Sequence, residues 1–208
     1  MFEDLRADLK TYCKGNSSTA SKLRVIRKSY GFRTTVIYRF GQWIDSTLVH
    51  PVLWPVKCGL LGVYFCLSWT VGKAFGIQID RRASIGEGLH IYHFGGIVIG
   101  PCRLGKNCTI HQHVRLGETP TDGQCSGPQV GNNVWIGPHA RIVGRVTVGD
   151  NVTISAGSVV SRDIKDKCLV GGNPARVINP SFDNTALFRR RGDESTENER
   201  RNNRRPCV

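Results

Sequence analysis

The sequence lacks the motifs of a metal centre or a secreted protein. Its 208 residues include eight cysteines but no CxxC pair, and no histidine cluster stands at metal-ligand spacing. We therefore expect no bound metal. The first residues, MFEDLRADLK, carry acidic side chains and no apolar segment, unlike a secretory signal. Reduced thiols and a cytoplasmic location are the resulting expectation.

An uninterrupted apolar run of membrane-spanning length is also missing. The apolar run at residues 58–71 has about fourteen residues, below the ~20 that a transmembrane helix needs. Extension back to residue 51 reaches that length, but Lys57 and two prolines interrupt it. A Trp-rich stretch flanked by Lys and Arg is typical of a helix in the membrane interface. The alternative is a helical cap that packs on the rest of the chain or between subunits.

Acidic residues are scarce, with 16 Asp and Glu against 29 Lys and Arg, and the formal net charge is +13. This excess indicates an anionic partner, such as a phosphate-bearing cofactor, a membrane surface or a nucleic acid. Part of it lies in residues 180–208, which mix Arg runs with Glu and predict a disordered basic tail. No aromatic residues alternate with those arginines to stack on bases, so we expect no nucleic-acid partner.

A repeat of six residues is present in abundance between residues 77 and 179. Glycine is frequent, with 24 residues, which suits many tight turns. The phase breaks between Ile91 and Val98 and again across residues 117–129, where a loop must leave the repeat. The aliphatic anchors are Ile79, Ile85, Ile91, Val98, Leu104, Ile110, Leu116, Val130, Ile136, Ile142, Val148, Ile154 and Val160.

A period of six fits neither an amphipathic helix nor an alternating strand. It fits a coil with three flat sides, in which each anchor points into a narrow core and stacked coils bury an aliphatic column. The predicted fold is mainly β: a left-handed parallel β-helix at residues 77–179, after an α-helical region at residues 1–76. Cys102 and Cys108 take inward positions, so packing explains them better than redox chemistry.

Several segments resemble the hexapeptide-repeat acyltransferases: GIQIDRRASIGEGLHIYHFGGIVIG, IHQHVRLG, VGNNVWIG, ISAGSVV and LVGGNPARVI. They are most similar to the serine acetyltransferase branch, which includes colanic-acid and capsule-type polysaccharide acetyltransferases. The similarity is strong over about residues 75–180. It implies a homotrimer with active sites between neighbouring subunits and direct acetyl transfer from acetyl-CoA to a hydroxyl.

The resemblance implies that His93, in the segment IYHFGG, is the general base. The alternative for His93 is a surface turn residue. His111 and His113 lie about one coil further on, as rival bases or as substrate contacts. Related sugar and antibiotic acetyltransferases carry the base on the loop between coils, and the equivalent loop here contains no histidine, which favours His93.

Three departures from the serine acetyltransferase pattern affect the substrate side. Tyr92 stands where the branch has Asp, as a candidate substrate contact, and Gln78 stands where a carboxylate orients the imidazole. A Gln carbonyl fixes a tautomer but does not stabilise an imidazolium as a carboxylate does; Asp80 is a nearby substitute. Residues 126–128 replace the Arg-His pair that reads the carboxylate of serine.

The cofactor side follows the family more closely. The resemblance places the acetyl-CoA contacts at Ala156, Ser161, Arg162 and Arg176. A small residue at 156 leaves room for the pantetheine arm, and the two arginines suit the nucleotide phosphates. Each arginine has the alternative of a solvated surface residue.

The sequence therefore predicts an acetyl-CoA-dependent O-acetyltransferase that acts on a sugar hydroxyl in exopolysaccharide or capsule biosynthesis. The apolar N-terminal zone would bring it to a lipid-linked glycan, by peripheral association with the inner face of the plasma membrane. One alternative is serine O-acetylation for cysteine biosynthesis. Another is a non-catalytic scaffold, because the carboxylates expected at Gln78 and Tyr92 are missing.

Overall fold

Four helices and a short 3-10 turn form the N-terminal region. The computed structural model describes residues 2–13, 19–48, 50–117 and 127–190. The polar and basic composition through Arg33 predicts one short helix, but two helices and the start of a third lie there. The helices are α1 (Phe2–Tyr12), α2 (Thr19–Lys28), α3 (Tyr30–Thr47) and α4 (Trp54–Phe75), with the 3-10 turn at Pro51–Leu53.

The repeat region forms three parallel sheets around one core, which confirms the predicted β-helix. The first sheet has the order β1-β4-β7-β10-β13, the second β11-β8-β5-β2, and the third β15-β14-β12-β9-β6-β3, in which β15 alone is antiparallel to its neighbour. The strands are β1 (Ile77–Ile79), β2 (Ser84–Ile85), β3 (His90–Ile91), β4 (Ile97–Ile99), β5 (Arg103–Leu104), β6 (Thr109–Ile110), β7 (Arg115–Gly117), β8 (Gln129–Val130), β9 (Trp135–Ile136), β10 (Arg141–Val143), β11 (Thr147–Val148), β12 (Thr153–Ile154), β13 (Val159–Val160), β14 (Leu169–Gly171) and β15 (Arg176–Asn179).

Eleven of the thirteen predicted anchors are buried in the core. Ile79 in β1 is half-buried against that core, and Val98 needs a correction. Val98 is only half-buried, while its neighbours Ile97 and Ile99 are fully buried. Ile99 pairs with Leu116, so Ile99 takes the anchor position. The physical reason is that the turn after Ile91 is longer than the regular repeat and shifts the following strand. That longer turn contains His93.

The small residues that lie between the anchors are buried as well, including the predicted inward residues Cys102 and Cys108. They are Ala83, Cys102, Cys108, Val114, Val134, Ala140, Val146, Val152 and Ser158. The thiols of Cys102 and Cys108 are unbridged, and burial raises the pKa of Cys102 to about 12. Packing, rather than redox chemistry, therefore accounts for these two cysteines.

A buried ion pair joins the helices to the β-helix. Arg39 Nε of α3 lies 3.1 Å from Asp8 Oδ2 of α1, and both side chains are almost fully buried. Asp8 Oδ1 also accepts hydrogen bonds from the amides of Gly88 and Leu89. Arg39 donates to the carbonyl oxygen of Ile85 at 2.6 Å. Both charges therefore have partners, as buried charges require.

Ordered chain continues beyond the boundary predicted at residue 180. A short helix, α5, covers Thr185–Arg190. Asn184 is buried and donates from Nδ2 to the carbonyl oxygen of Asn133 at 2.9 Å, and the ring of Phe188 lies 5.9 Å from that of Trp135. This first part of the predicted tail therefore packs on the β-helix. Residues 191–208, the rest of that tail, lie outside the described residues.

Candidate active site

One edge of the β-helix collects most of the predicted site residues. The strands of the third sheet stack in register, with Ile91 opposite Ile110, Ile110 opposite Ile136, and Ile136 opposite Ile154. The residues that follow these strands therefore stack along a single corner. They include Tyr92 and His93 in one coil, His111 and His113 in the next, His139 in the third and Ala156 in the fourth.

His93 is exposed on this edge. Its ring centroid lies 5.1 Å from that of Tyr92 and 6.3 Å from that of His111. Within the part of the chain that the structure describes, no hydrogen bond fixes its imidazole. The side chain is therefore accessible for proton transfer to and from a bound substrate.

Two backbone hydrogen bonds hold the C-terminal side of the turn that carries His93. Gly95 N donates to the carbonyl oxygen of Phe75 at 2.9 Å, and Ile97 N donates to that of Gly76 at 2.9 Å. Gly95 and Gly96 have φ values of 101° and 64°, which favour glycine. The local GG sequence and the end of α4 thus fix the position of His93.

The two rival histidines have different surroundings. His111 is half-buried between two aromatic rings, stacked on Tyr92 at 4.8 Å and tilted against Trp135 at 4.9 Å. His113 is exposed in a left-handed turn, with φ of 59°, and stacks on His139 at 4.6 Å. His111 therefore lies in a row of aromatic rings beside His93. His113 instead stacks on His139, its neighbour in the next coil.

Gln78 and His93 lie on different elements: Gln78 is in β1, and His93 is in the turn between β3 and β4. Gln78 is exposed in the middle of β1 in the first sheet and helps to line a cavity of about 340 Å³ between α3, α4 and β1. Among the described residues no hydrogen bond joins it to His93, so the orienting contact is not formed within one chain. The proposed substitute, Asp80, is held by the guanidinium of Arg82 at 3.0 Å.

The predicted acetyl-CoA residues lie around the C-terminal end of the β-helix. All four are exposed: Ala156, Ser161, Arg162 and Arg176. Ser161 and Arg162 follow β13, and Ala175 N donates to the carbonyl oxygen of Val159 in β13 at 2.8 Å. This bond places the start of β15, with Arg176, beside the same strand.

Sequence reasoning missed two aromatic residues of the site. Trp135 directly precedes the anchor Ile136, a position that faces outward, and its ring reaches both His111 and Tyr92. That repeat position was a usable signal. Phe188 adds a third ring through its contact with Trp135. No signal pointed to it, because it lies beyond the repeats.

Known proteins match this chain in sequence. The family "Bacterial transferase hexapeptide (six repeats)" matches residues 127–162. A serine acetyltransferase of Synechococcus elongatus is 34% identical over 179 residues, which cover 86% of this chain and 69% of that protein. The chain belongs to the hexapeptide-repeat acyltransferases of the serine acetyltransferase type. These relatives give no support to the predicted colanic-acid and capsule branch.

Solved structures of the same family agree with the fold of this acyltransferase. Serine acetyltransferase of Neisseria gonorrhoeae in complex with serine has a TM-score of 0.70 at 27% identity, covering 86% of this chain and 69% of that one. The Brucella abortus enzyme in complex with coenzyme A has a TM-score of 0.71 at 26% identity, covering 86% and 68%. The chain spans about half of other curated relatives, including 50% of the Escherichia coli K12 serine acetyltransferase, which is 33% identical.

Proposed function

We propose that this acyltransferase moves an acetyl group from acetyl-CoA to a hydroxyl group, with His93 as the general base. The observation that carries the proposal is the exposed imidazole on the edge of the β-helix, in a turn fixed by Gly95 and Phe75. Family membership favours such an enzyme over the non-catalytic scaffold.

In the reaction, His93 accepts the proton of the acceptor hydroxyl as that oxygen attacks the thioester carbonyl carbon. Backbone N–H groups stabilise the negative charge that develops on the carbonyl oxygen. The carbon–sulfur bond then breaks, and the proton on His93 returns to the thiolate of coenzyme A. Transfer is direct, and no covalent enzyme intermediate forms.

Acetyl-CoA binding is assigned to the C-terminal end of the β-helix. The exposed Ala156 leaves space beside the corner for the pantetheine arm. Arg162 and Arg176 are exposed, and neither is paired with a carboxylate in the described part of the chain. Their guanidinium groups are therefore available to the phosphates. The Brucella abortus relative in complex with coenzyme A supports this assignment.

L-serine is the acceptor that the relatives favour. The Synechococcus elongatus serine acetyltransferase matches over 86% of this chain, and the Neisseria gonorrhoeae structure is in complex with serine. The replacement of the Arg-His pair by residues 126–128 then requires a mode of serine recognition that differs from that of the branch.

A sugar hydroxyl, including that of a lipid-linked glycan, is the second candidate. The rings of Tyr92, Trp135 and Phe188, here called the aromatic wall, favour it. Tyr92, Trp135 and Phe188 place three rings in sequence beside His93 and His111. Flat aromatic faces suit the apolar face of a sugar ring, whereas serine has little apolar surface to cover.

We also propose a homotrimer. In a single chain, His93 and the four assigned acetyl-CoA residues are exposed on one convex β-helix. Ligand sites are generally concave, and a neighbouring subunit packed against this edge supplies the missing wall. Analytical ultracentrifugation measures the mass directly, and a monomer at assay concentration contradicts the proposal.

The test is release of coenzyme A from acetyl-CoA, measured separately with L-serine, nucleotide sugars and glycan repeats. Turnover with serine alone establishes the first candidate, and turnover with a sugar acceptor alone establishes the second. The matched variants are His93→Asn and His139→Asn, because both side chains are exposed on the same edge. Full activity in the His93→Asn enzyme rejects the base assignment.

A further inference from the structure

Helix α4 exposes an unusually apolar surface. It has 22 residues, and among the described residues it is the one helix long and apolar enough to cross a membrane, yet only 11% of its apolar segment is buried. Trp54 and Trp69 are each 67% exposed and Phe65 is 59% exposed. An exposed apolar surface of this kind indicates an interaction site.

The exposed surface is too wide for a single partner helix. At about 100° of rotation per residue, Trp54, Phe65 and Trp69 fall on one side of the helix. Val56 and Val63, each at least 50% exposed, fall nearly opposite. The exposed arc is therefore roughly 200°, about twice the stripe that packing against one neighbour covers. A continuous apolar medium matches this width better than a second copy of the chain does.

The packing of α4 excludes a simple transmembrane orientation. Tyr64, at the middle of the helix, is only 4% exposed, and a Cβ added to Gly41 of α3 would lie 2.6 Å from its ring. Helix α3 is therefore tightly packed against α4 and would enter the bilayer with it. Helix α3 also carries Arg39, which forms the buried ion pair with Asp8 of α1. An orientation parallel to the membrane plane leaves this pair outside the hydrocarbon.

The charges of α4 favour an anionic surface. Its charged side chains are Lys57 and Lys73, and it has no Asp or Glu. Arg81 lies beside the helix, with its guanidinium 5.7 Å from the ring of Phe65. Arg81 and Lys57 share one carboxylate partner, Asp45 of α3, so the basic side chains at this surface still outnumber the acidic one. Basic residues next to exposed tryptophans are typical of helices that lie among anionic headgroups.

We propose that α4 docks this protein on the surface of an anionic membrane and lies in the plane of the interface. The carbonyl oxygen of Phe75, the last residue of α4, binds Gly95 N two residues after His93. Docking therefore also sets the distance between the His93 turn and the lipid surface. In a cell the anionic leaflet that faces the cytoplasm is the expected site. This inference concerns binding alone and does not depend on the acetyl acceptor.

The test is flotation of the full chain with vesicles of phosphatidylglycerol and phosphatidylcholine, compared with phosphatidylcholine alone. We expect flotation with the anionic vesicles and a loss of about tenfold or more in partitioning for Trp54→Ser/Trp69→Ser, since two large apolar side chains no longer insert. The matched control is Val177→Ser/Ile178→Ser, which removes apolar side chains that are also more than half exposed from β15. Equal losses in both double variants overturn the assignment to α4.

Two further measurements separate the other occupants of this surface. Lys73→Glu and high salt both weaken a docked helix, whereas a spanning helix stays in the vesicles after an alkaline carbonate wash. Sedimentation velocity without lipid tests the second copy: if the double tryptophan variant has a smaller mass than the wild type and the wild type does not float, α4 is a subunit interface and the proposal is wrong.

Discussion

The backbone amide of Gly95 donates a 2.9 Å hydrogen bond to the carbonyl oxygen of Phe75. This bond joins the turn that carries the candidate base to the last residue of the apolar helix α4. Tyr30 of α3 reinforces the junction, because its ring contacts those of Phe75 at 4.5 Å and Phe94 at 5.0 Å. The helical region thus does more than cover the β-helix: it holds the turn on which the proposed chemistry depends.

Replacement of His93 by Ala is expected to lower kcat by about 10²–10⁴-fold, the usual contribution of a general base. The melting temperature should hardly change, since the side chain is exposed and has no hydrogen bond in the described part of the chain. Steady-state kinetics measure the loss, with acetyl-CoA and the acceptor that gives turnover in the coenzyme A release assay. If the melting temperature falls clearly together with kcat, His93 instead has a structural role.

Replacement of Gly96 by Ala should destabilise the fold by about 1–3 kcal/mol, because the residue has a positive φ and the new Cβ meets the ring of His113. Gly157→Ala is the matched control: φ is 69°, on the same edge, and no atom lies within 4 Å. Chemical denaturation should show the larger loss at Gly96. A second substitution, His113→Gly, removes the clashing ring and should recover part of that loss; no recovery contradicts the steric explanation.

Replacement of Asp8 by Ala should cost about 3–5 kcal/mol of unfolding free energy, since it leaves the buried guanidinium of Arg39 without its carboxylate. The control is Glu87→Ala, which removes the exposed pair with Lys106 and should cost about 0–1 kcal/mol. Urea denaturation measures both. Similar costs for the two variants would mean that burial adds nothing to the importance of the Asp8 pair.

Thiol labelling at neutral pH should divide the described cysteines into two groups. Cys58 and Cys66 are exposed on α4 and should react quickly. Cys102 should stay unreactive, because burial raises its pKa to about 12 and the thiol is therefore protonated at neutral pH. The experiment uses a chain in which Cys125 and Cys207 are replaced by Ser. Anionic vesicles should slow the reaction of Cys58 and Cys66 if α4 docks on them.

Replacement of Arg162 by Ala should raise KM for acetyl-CoA by about tenfold with a smaller effect on kcat, because a phosphate contact contributes mainly to binding. Arg103→Ala, an exposed arginine of the second sheet, is the control and should leave KM unchanged. An equal rise in both variants would point to the general positive field of the protein instead of a specific contact.

The sequence alone predicted the β-helix. Each coil of a solenoid contacts only its neighbours, so the fold produces a short repeat in the sequence. The buried positions followed from the same period, apart from Ile79, which is half-buried, and Val98. There the longer turn after Ile91 shifted the register, and only the strand pairing of Ile99 with Leu116 reveals the shift. His93 came from the family resemblance of its segment rather than from the period.

Tertiary structure decided what no repeat encodes. Trp135 and Phe188 are far apart in the chain, yet their rings meet in the aromatic wall. Gln78 faces the cavity between α3, α4 and β1 and does not face His93. Likewise, composition shows that α4 is apolar, but a buried apolar helix and an exposed one can have the same composition. Its exposure depends on which side α3 covers. Such contacts between distant segments follow from how the elements pack, and packing is a property of the whole chain rather than of any local stretch.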